Sequence, residues 1–582
     1  MAASTLDFRN TNSLWGSVMV ETLVRLGLRQ VVSAPGSRST PLTIAFARRP
    51  GIEAVPVLDE RSAAFFALGL ARQHHRTVAL VCTSGTAAAN FLPAIIEAQE
   101  SGVPLLVFTA DRPPELRACA AGQTIDQQKL YGGHVNFYHE LAVPEAAVDR
   151  LRYLRQVIVH AFERTLAPAA GPVHLNAPFG DPLAPVPDGS AGKLRRTLDA
   201  KTFFAQVTPP APAPGRRTVF APPVTSRGLI VAGPAQPADA AAYAAAVTRI
   251  AARLGWPVLA DGLGPLRGRA RRNPLLVAHY DAVLRSPRRA ARLRPEVVLG
   301  LGEWPTSKVL RQWLAAADAR TWLVNPDERN HDALHGRTRH LRCTVEALTV
   351  AASPVRRAAA YSRAWRRADR GAARLLGARF AALDSLFEGK VSWLLGAHLP
   401  ARTPLFIASS MPVRDVEYFW PAGDRRPQPF FNRGANGIDG TLSTALGVAH
   451  GNRPSVLLCG DLALLHDTNG FLLRPRLRGS LTIVLINNRG GGIFEMLPVA
   501  KFDPPFEEFF ATPQEADFGR LCAAYGAEYV RVRDWDQFTA LIARLPAAGL
   551  RVLEVRTDRK GDAVRRLELL AAAARAADRG VS

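Results

Sequence analysis

Residues 455–492 read Ser-Val-Leu-Leu-Cys-Gly-Asp, then a segment with room for one helix, then Leu-Thr-Ile-Val-Leu-Ile-Asn-Asn-Arg-Gly-Gly-Gly. Two apolar, β-rich runs thus end in Asp461 and Asn488. In a parallel βαβ unit both residues fall at the carboxyl ends of strands, where open α/β sheets bind ligands. A carboxylate oxygen, an amide oxygen and a backbone carbonyl in the glycine run suit Mg²⁺. The alternative is an ordinary buried crossover with two structural strand-end residues.

The length and composition of the chain predict a multidomain cytoplasmic protein. Its 582 residues are enough for roughly three or four domains. The first twelve residues are polar and predict no export signal, and no apolar run reaches the ~18 residues of a membrane span. Five cysteines without paired spacing predict neither a disulfide framework nor a zinc site, as expected in a reducing compartment.

A formal net charge of +23 raises the possibility of a nucleic-acid partner. The basic residues are mostly arginines spread along the chain, however, and no basic helix is interleaved with stacking aromatic residues. We therefore predict no nucleic-acid partner and no integral membrane association. The charge fits anionic small-molecule substrates, or reflects compositional drift over a solvated surface.

Alternating strand and helix patterns occur in three blocks, which predicts an α/β protein with three doubly wound domains. In the first block the predicted strands are Gln30–Ser33, Ala54–Leu58, Thr77–Thr83, Leu105–Thr109 and Val173–Asn176, with helices at Ser62–Arg72 and Thr86–Ser101. We predict domains at residues 1–185, 227–355 and 356–582, the last with a helical tail. A proline-rich linker over 186–226 is predicted to cross the surface.

Glu60 is the candidate catalytic carboxylate of the first block. It ends the predicted strand that includes Val55-Pro56-Val57, and an apolar helix follows it. A glutamate there would lie at the mouth of a buried site and act as an acid. The alternative role is to stabilise the helix dipole from its N-terminal turn.

Several longer motifs occur in a fixed order along nearly the whole chain. They are Ala-Pro-Gly-Ser-Arg-Ser-Thr-Pro-Leu (34–42), Asp-Glu-Arg (59–61), Thr-Ser-Gly-Thr-Ala (83–87), Thr-Ala-Asp-Arg-Pro-Pro (109–114), Gln-Thr-Ile-Asp-Gln (123–127), Ser-Met-Pro-Val-Arg (410–414), Asn-Arg-Gly-Ala-Asn-Gly-Ile-Asp-Gly (432–440) and Gly-Gly-Ile-Phe (491–494). Together they resemble the 2-succinyl-5-enolpyruvyl-6-hydroxy-3-cyclohexene-1-carboxylate synthase family, thiamine diphosphate enzymes of menaquinone biosynthesis.

This resemblance implies decarboxylation of 2-oxoglutarate and conjugate addition of the succinyl group to isochorismate. It implies thiamine diphosphate and Mg²⁺, with Mn²⁺ able to substitute, held by Asp461, Asn488 and Gly490. Glu60 would be hydrogen-bonded to the aminopyrimidine ring of the cofactor. The other implied cofactor contacts are Ser84, Gly85, Ser410, Met411, Leu462, Ala463, Gly491 and Ile493.

The resemblance also implies a division of the substrate site, in which arginine suits the several carboxylates of both substrates. The isochorismate side would comprise Ser37, Arg38, Arg112, Gln123 and Lys308. The succinyl side would comprise Arg414 and Arg433, with Ser410 also at the substrate, and the apolar lining would comprise Ile438, Ile493, Phe494 and Leu497.

The family pattern further implies a homodimer or homotetramer, with the cofactor between the first domain of one subunit and the third domain of another. This chain departs from the pattern at Gly122, where family members often have Asn, and at Val309, where some have a second basic residue. Leu462 replaces the Gly preferred in the wider superfamily. The remaining alternatives are another thiamine diphosphate-dependent 2-oxo acid decarboxylase or carboligase, and a non-catalytic basic scaffold.

Overall fold

The computed structural model describes residues 6–211, 217–351 and 359–579. Within these ranges the strands form three six-stranded sheets and one two-stranded pair, and every strand pair is parallel. Helices connect the strands, as parallel pairing requires. The predicted fold class, three doubly wound α/β domains, is confirmed.

The first sheet has the strand order β2-β1-β3-β4-β6-β5. Its strands are β1 (Gln30–Ser33), β2 (Glu53–Pro56), β3 (Val78–Cys82), β4 (Leu105–Asp111), β5 (Phe137–Glu140) and β6 (Pro172–Pro178). The helices of this part are α1 (Thr11–Leu26), α2 (Thr40–Arg48), α3 (Glu60–His74), α4 (Thr86–Ala89), α5 (Leu92–Ser101), α6 (Val148–Arg164), α7 (Leu194–Thr197) and α8 (Ala200–Phe203). Strands β3, β4 and β6 are buried throughout, which explains their continuous apolar runs.

The single helix predicted over Thr86–Ser101 is wrong, because the structure has two helices there, α4 and α5. Pro93 is the cause. Its ring would clash with the carbonyl of residue 89 in a continuous helix, and proline is tolerated only in a first turn. Helix α4 accordingly ends at Ala89, and α5 begins again with Pro93 as its second residue.

The middle sheet has the strand order β10-β9-β8-β11-β12-β13. This is the doubly wound order, in which strands are added first on one side of β8 and then, from β11 onward, on its other side. Its strands, with the separate pair β7 and β14, are β7 (Thr218–Phe220), β8 (Gly228–Ala232), β9 (Val258–Ala260), β10 (Leu276–Val277), β11 (Val297–Leu301), β12 (Arg320–Val324), β13 (Arg337–Leu341) and β14 (Leu348–Val350). The helices here are α9 (Ala240–Leu254), α10 (Tyr280–Leu284), α11 (Pro287–Arg292), α12 (Lys308–Ala317) and α13 (Ala359–Ala381).

The third sheet, β16-β15-β17-β18-β20-β19, repeats the topology of the first sheet strand for strand. Its strands are β15 (Pro404–Ile407), β16 (Gln428–Phe430), β17 (Ser455–Gly460), β18 (Ser480–Asn487), β19 (Glu528–Arg531) and β20 (Gly549–Arg556). The helices are α14 (Glu388–His398), α15 (Met411–Phe419), α16 (Thr441–Ala449), α17 (Asp461–His466), α18 (Phe518–Tyr525), α19 (Trp535–Ala543) and α20 (Arg559–Arg579). Helix α20 confirms the predicted helical tail.

The chain divides into two compact units that do not follow the sequence blocks. The first unit combines residues 6–211 with 432–450 and 467–477, and the second contains the rest of the described chain. In the first unit α16 packs on α3 so closely that a Cβ on Gly69 would lie 2.1 Å from the Thr444 carbonyl oxygen. A Cβ on Gly447 would lie 2.2 Å from the Phe66 carbonyl oxygen. Only glycine allows the two helices to approach this closely.

The predicted linker, residues 186–226, contains ordered elements. Helices α7 and α8 lie in it, and the side chains of Phe203 and Phe204 are buried in the core of the first unit. Strand β7, which lies near the C-terminal end of this segment, pairs with β14. The part of the prediction that falls on residues 212–216 lies outside the described residues. None of the helices in the described ranges has the length and apolar character needed to cross a bilayer.

Candidate functional site

In the first unit, two predicted site loops meet at the carboxyl ends of β1 and β3. These strands are neighbours although β2 lies between them in sequence, so this is a topological switch point, where doubly wound sheets bind ligands. A Cβ on Gly36 would lie 2.2 Å from the Thr83 side chain. The glycine therefore lets the loop that carries Ser37 and Arg38 lie directly against the loop that carries Ser84 and Gly85.

Arg112 and Gln123 tie a third segment to these loops. Arg112 Nη1 donates to Ser84 Oγ at 2.7 Å, and Gln123 Nε2 donates to the Ser84 carbonyl at 3.0 Å. Arg38 Nη1 donates to the Phe179 carbonyl at 2.8 Å. Burial, and next the positive charge of nearby Arg112, lower the pKa of the Arg38 guanidinium. Two guanidinium groups held near each other in this way suit a ligand with carboxylates.

A buried polar network supports these loops, and sequence reasoning did not find it. Gly85 N donates to Gln127 Oε1 at 2.8 Å, and Gln127 Nε2 donates to Asn176 Oδ1 at 3.0 Å. Asn176 Nδ2 in turn donates to Asp111 Oδ2 at 2.9 Å, and Asp111 Oδ1 accepts from the backbone N of Arg112 at 2.7 Å. The network links the Gly85 loop to the Arg112 segment, so it fixes both against the sheet.

Glu60 is the first residue of α3, but Asp59 caps that helix. Asp59 Oδ1 accepts from Ser62 N at 2.8 Å. Among the described residues no group forms a hydrogen bond with the Glu60 carboxyl. This carboxyl lies near the buried Cys82, where it adds to the effect of burial in raising the pKa of the thiol. Asp59 supplies the cap, while Glu60 lies in the first turn of the helix, so the site role and the helix-dipole role of Glu60 both stay predictions.

Arg433 and Ile438 also belong to the first unit, on the loop that precedes α16. The buried carboxylate of Glu97 holds this loop, accepting from Gly434 N at 3.1 Å and Ala435 N at 2.7 Å. Arg72 pairs with Glu97 at 2.8 Å. A cavity of about 230 Å³ lies between this loop and α5. The Glu97 carboxylate thus positions the backbone directly after Arg433.

In the second unit, Asp461 and Asn488 lie, as predicted, at the carboxyl ends of two strands, the neighbours β17 and β18. Asp461 Oδ2 accepts from Gly490 N at 2.8 Å. Burial raises the pKa of Asp461 to about 6, despite hydrogen bonds from Leu462 N and Gly490 N. Gly490 has φ +131°, and a Cβ there would lie 2.3 Å from the Ala511 carbonyl oxygen, so only glycine fits.

The Asn488 side chain is oriented by a buried charge cluster that sequence reasoning also missed. Asn488 Nδ2 donates to Glu388 Oε2 at 3.3 Å, while Asn488 Oδ1 is buried and accepts no hydrogen bond from the described residues. Arg566 holds Glu388 at 2.6 Å and pairs with Asp415 at 2.7 Å. The cluster therefore fixes the amide nitrogen and leaves the amide oxygen available.

These donors fit a divalent metal and a diphosphate. Mg²⁺ prefers oxygen ligands and keeps positions for phosphate and water, and Asp461 and the orphaned Asn488 Oδ1 are such oxygens. The Gly490 carbonyl accepts one bond, from Gly492 N at 2.9 Å, and has a second lone pair. No group of three or more His, Cys, Asp or Glu residues that would hold a metal occurs in the described chain. A set of one carboxylate, one amide and one carbonyl does not need such a group.

Ser410 has a strained backbone at the start of α15. Its φ of +75° and ψ of −129° lie in a region that is almost reserved for glycine, and such strain is concentrated at functional sites. Met411 follows as the first helical residue, and Arg414 donates to the Ser410 carbonyl at 2.5 Å. Burial, and then the charge of Arg311, lower the pKa of Arg414. Lys308, expected on the isochorismate side, is the first residue of α12, and its role stays a prediction.

Three of the four predicted lining residues, Ile493, Phe494 and Leu497, follow the glycine turn, whereas Ile438 precedes α16. Phe494 packs edge-on against Phe510 with ring centroids 5.8 Å apart, and Leu497 is 41% exposed.

The structure distributes the predicted site residues over both units. The first unit contains Ser37, Arg38, Glu60, Ser84, Gly85, Arg112, Gln123, Arg433 and Ile438. The second contains Lys308, Ser410, Met411, Arg414, Asp461, Leu462, Ala463, Asn488, Gly490, Gly491, Ile493, Phe494 and Leu497. Their individual roles stay predictions.

Three family models match the chain. They describe the N-terminal TPP-binding domain of thiamine pyrophosphate enzymes over residues 15–130, the middle domain over 198–407, and the C-terminal TPP-binding domain over 417–555. The structure is similar to benzoylformate decarboxylase from Polynucleobacter necessarius, with a TM-score of 0.64, 16% identity, and 94% and 98% of the two chains covered. At that identity the likeness shows the fold alone. The class defined here is that of thiamine pyrophosphate enzymes.

Curated relatives narrow the class to one family. The chain is 54% identical over 556 residues to 2-succinyl-5-enolpyruvyl-6-hydroxy-3-cyclohexene-1-carboxylate synthase of Microcystis aeruginosa, covering 95% of this chain and 98% of that one. It is 55% identical over 578 residues to the protein of the same name from a Synechococcus strain, covering 97% and 96%. The chain belongs to the 2-succinyl-5-enolpyruvyl-6-hydroxy-3-cyclohexene-1-carboxylate synthase family.

Proposed function

We propose that the protein decarboxylates 2-oxoglutarate and adds the resulting succinyl group to isochorismate, as a transferase of menaquinone biosynthesis. The observation that carries this proposal is the 54–55% identity, over nearly the full length, to proteins named for that synthase. The arginines of both units agree with it, since the two substrates together carry several carboxylates.

Thiamine diphosphate, when bound, supplies the electron sink that decarboxylation of a 2-oxo acid requires. We propose that Asp461, Asn488 and Gly490 hold Mg²⁺ or Mn²⁺ against its diphosphate. The buried Asn488 Oδ1 with no hydrogen-bond donor supports this role. Glu60 would hold a proton against the aminopyrimidine ring, and its carboxyl, which has no hydrogen-bond partner among the described residues, is available for that contact.

The side chains around the cofactor positions would bind and orient the substrates. On the isochorismate side, Arg38 and Arg112 form one basic pair, and Arg112 is anchored to Ser84 at 2.7 Å. On the succinyl side, Arg414 and Arg433 would bind the carboxylates. Apolar residues at Ile438, Ile493, Phe494 and Leu497 would exclude water and so strengthen the electrostatic contacts in the site.

We also propose that the protein works in the cytoplasm as a homodimer or homotetramer. The support for the location is chemical: all five cysteines are free thiols, four of them buried. The support for assembly is the family pattern, in which two subunits build each site. Light scattering of the purified protein tests the assembly, and a monomer at working concentration would contradict it.

The experiment that tests the function compares 2-oxo acids on one preparation. We expect kcat/KM for 2-oxoglutarate, with isochorismate as acceptor, to exceed that for pyruvate by at least about tenfold, because each buried carboxylate–arginine contact contributes roughly 1.5–3 kcal/mol. Benzoylformate, an aromatic monocarboxylate, should also be a poor substrate. Equal or faster turnover of either monocarboxylate would favour the other decarboxylases of the class.

A further inference from the structure

A groove lined by arginines lies in the second unit, away from every residue assigned above. Its volume is about 600 Å³, and its charged lining consists of Arg227, Arg289, Arg292, Arg363, Arg367 and Arg370. Among the described residues, no carboxylate side chain lines it. Arg227 lies directly before the amino end of β8, whereas ligands of doubly wound sheets bind at the carboxyl ends of strands. The groove is therefore separate from the expected ligand edge of the middle sheet.

The spacing of the arginines along each helix places their side chains on one face of that helix. Arg363, Arg367 and Arg370 are spaced by four and three residues on α13, so they project from the same side of the helix. The opposite side of α13, which includes Trp365 and Ala368, is buried. Helix α11 contributes Arg289 and Arg292, three residues apart. Three separate parts of the chain thus direct guanidinium groups into one concavity.

The positive charge in the groove is largely uncompensated. Arg289, only 4% exposed, is paired with Asp578 at 3.2 Å. The other five arginines form no ion pair with any carboxylate in the described residues. Burial lowers the pKa of Arg289, and the charges of Arg292 and Arg288 oppose the effect of Asp578. Like charges gathered in this way destabilise the fold unless an anion joins them.

We propose that this groove binds a small polyanion with several phosphate or carboxylate groups. Arginine presents a planar fork that matches both groups. The volume lies in the range of small-molecule sites, about 300–1,000 Å³. A concave groove suits a compact ligand better than the flat surface of a membrane.

Isothermal titration of the full chain with sodium tripolyphosphate tests the proposal, in buffer without Mg²⁺ because the metal would chelate the probe. We expect saturable binding that Arg363→Gln/Arg367→Gln weakens by at least about tenfold, since two charge-assisted contacts are lost. The matched control is Arg374→Gln/Arg379→Gln, two exposed arginines on the same helix outside the groove. Both pairs remove two charges and leave the diphosphate-binding residues intact.

The control should bind tripolyphosphate like the unaltered protein. Equal loss in both variant pairs would reduce the effect to net charge and overturn the proposal, as would equal affinity in all three proteins or no saturable binding. Sedimentation with phosphatidylglycerol vesicles that depends on Arg363 and Arg367, without tripolyphosphate binding, would assign the groove to a lipid surface instead. These outcomes are independent of turnover, so they do not depend on the proposed function.

Discussion

The carboxyl of Glu60 lies at the start of α3, near the Cys82 thiol, and forms no hydrogen bond with the described residues. We expect Glu60→Gln to fold normally and to lose about 10²- to 10⁴-fold in kcat, because the amide cannot hold or transfer the proton. Glu163→Gln, an exposed change on α6, is the control and should leave kcat unchanged. If Glu60→Gln retained about half of the activity, Glu60 would not be the acid.

Substitutions of Arg38 and Arg433 should affect the two substrates differently. Arg38→Ala should raise KM for isochorismate about ten- to a hundredfold, because it removes a charge-assisted contact to the acceptor alone. CO₂ release from 2-oxoglutarate without acceptor should stay nearly intact. Arg433→Ala should damage both reactions. Equal damage to both reactions in both variants would leave these arginines only a general electrostatic role.

Candidate binding residues could be predicted from the sequence, whereas residues that orient them through other contacts could not. Asp461 and Asn488 each follow an apolar run, so the strand ends alone predict that they meet. Glu388 and Asn176 act by fixing a neighbour, at positions distant in sequence and without a local motif. Only the folded chain brings Glu388 within 3.3 Å of Asn488.

At the scale of elements, α14 and α20 meet behind the glycine turn through Glu388 and Arg566. We expect Glu388→Ala to weaken Mg²⁺ binding about 10- to 100-fold, because the Asn488 amide would lose the acceptor that orients it. Asp415→Asn is the control, since it disturbs the same Arg566 without contacting Asn488. Calorimetric Mg²⁺ titration in the presence of thiamine diphosphate measures the effect. Equal Mg²⁺ affinity in Glu388→Ala and the unaltered protein would contradict this role.

Asp562, in the first turn of α20, should make stability depend on pH. Burial, and then the charge of Glu388, raise its pKa to about 7 from the usual 3.8. A raised carboxyl pKa favours the protonated folded state, so the stabilisation is complete below about pH 4 and is lost as pH rises through 7. Asp562→Asn keeps an acceptor for Glu388 N, and should be the more stable protein at pH 8 by on the order of 3 kcal/mol.

Urea unfolding of the two metal-free proteins at pH 5 and pH 8 checks this prediction. The advantage of Asp562→Asn should shrink as the pH falls. A difference in stability that is the same at both pH values would show that Asp562 does not titrate in this range.

Element types could be predicted from periodicity, but their breaks and partners could not. Strand β1 was predicted at its observed bounds, Gln30–Ser33. The break between α4 and α5 follows from Pro93. The prediction of one helix over Thr86–Ser101 followed the apolar pattern and did not take this proline into account. The packing of α16 on α3 depends on Gly69 and Gly447, which are far apart in sequence, so no local pattern indicates it.

At the scale of the whole molecule, the first and third sheets share one strand order, and the predicted site loops lie at the switch point of each. In the first sheet they follow β1 and β3. In the third they follow β15 and β17, at Ser410 and Asp461. The sequence blocks predicted two similar α/β domains around a third. They could not predict that residues 432–450 pack in the first unit, because that arrangement depends on tertiary contacts.

The central claim is that this chain joins 2-oxoglutarate and isochorismate. The most direct test incubates the purified protein with both substrates, thiamine diphosphate and Mg²⁺, and identifies the product by mass spectrometry, with each component omitted in turn. We predict 2-succinyl-5-enolpyruvyl-6-hydroxy-3-cyclohexene-1-carboxylate only in the complete mixture, with one CO₂ released for each molecule of product, and product formation at least about 100-fold slower with Glu60→Gln. CO₂ release from the complete mixture without any product that contains the isochorismate carbon skeleton would contradict the claim.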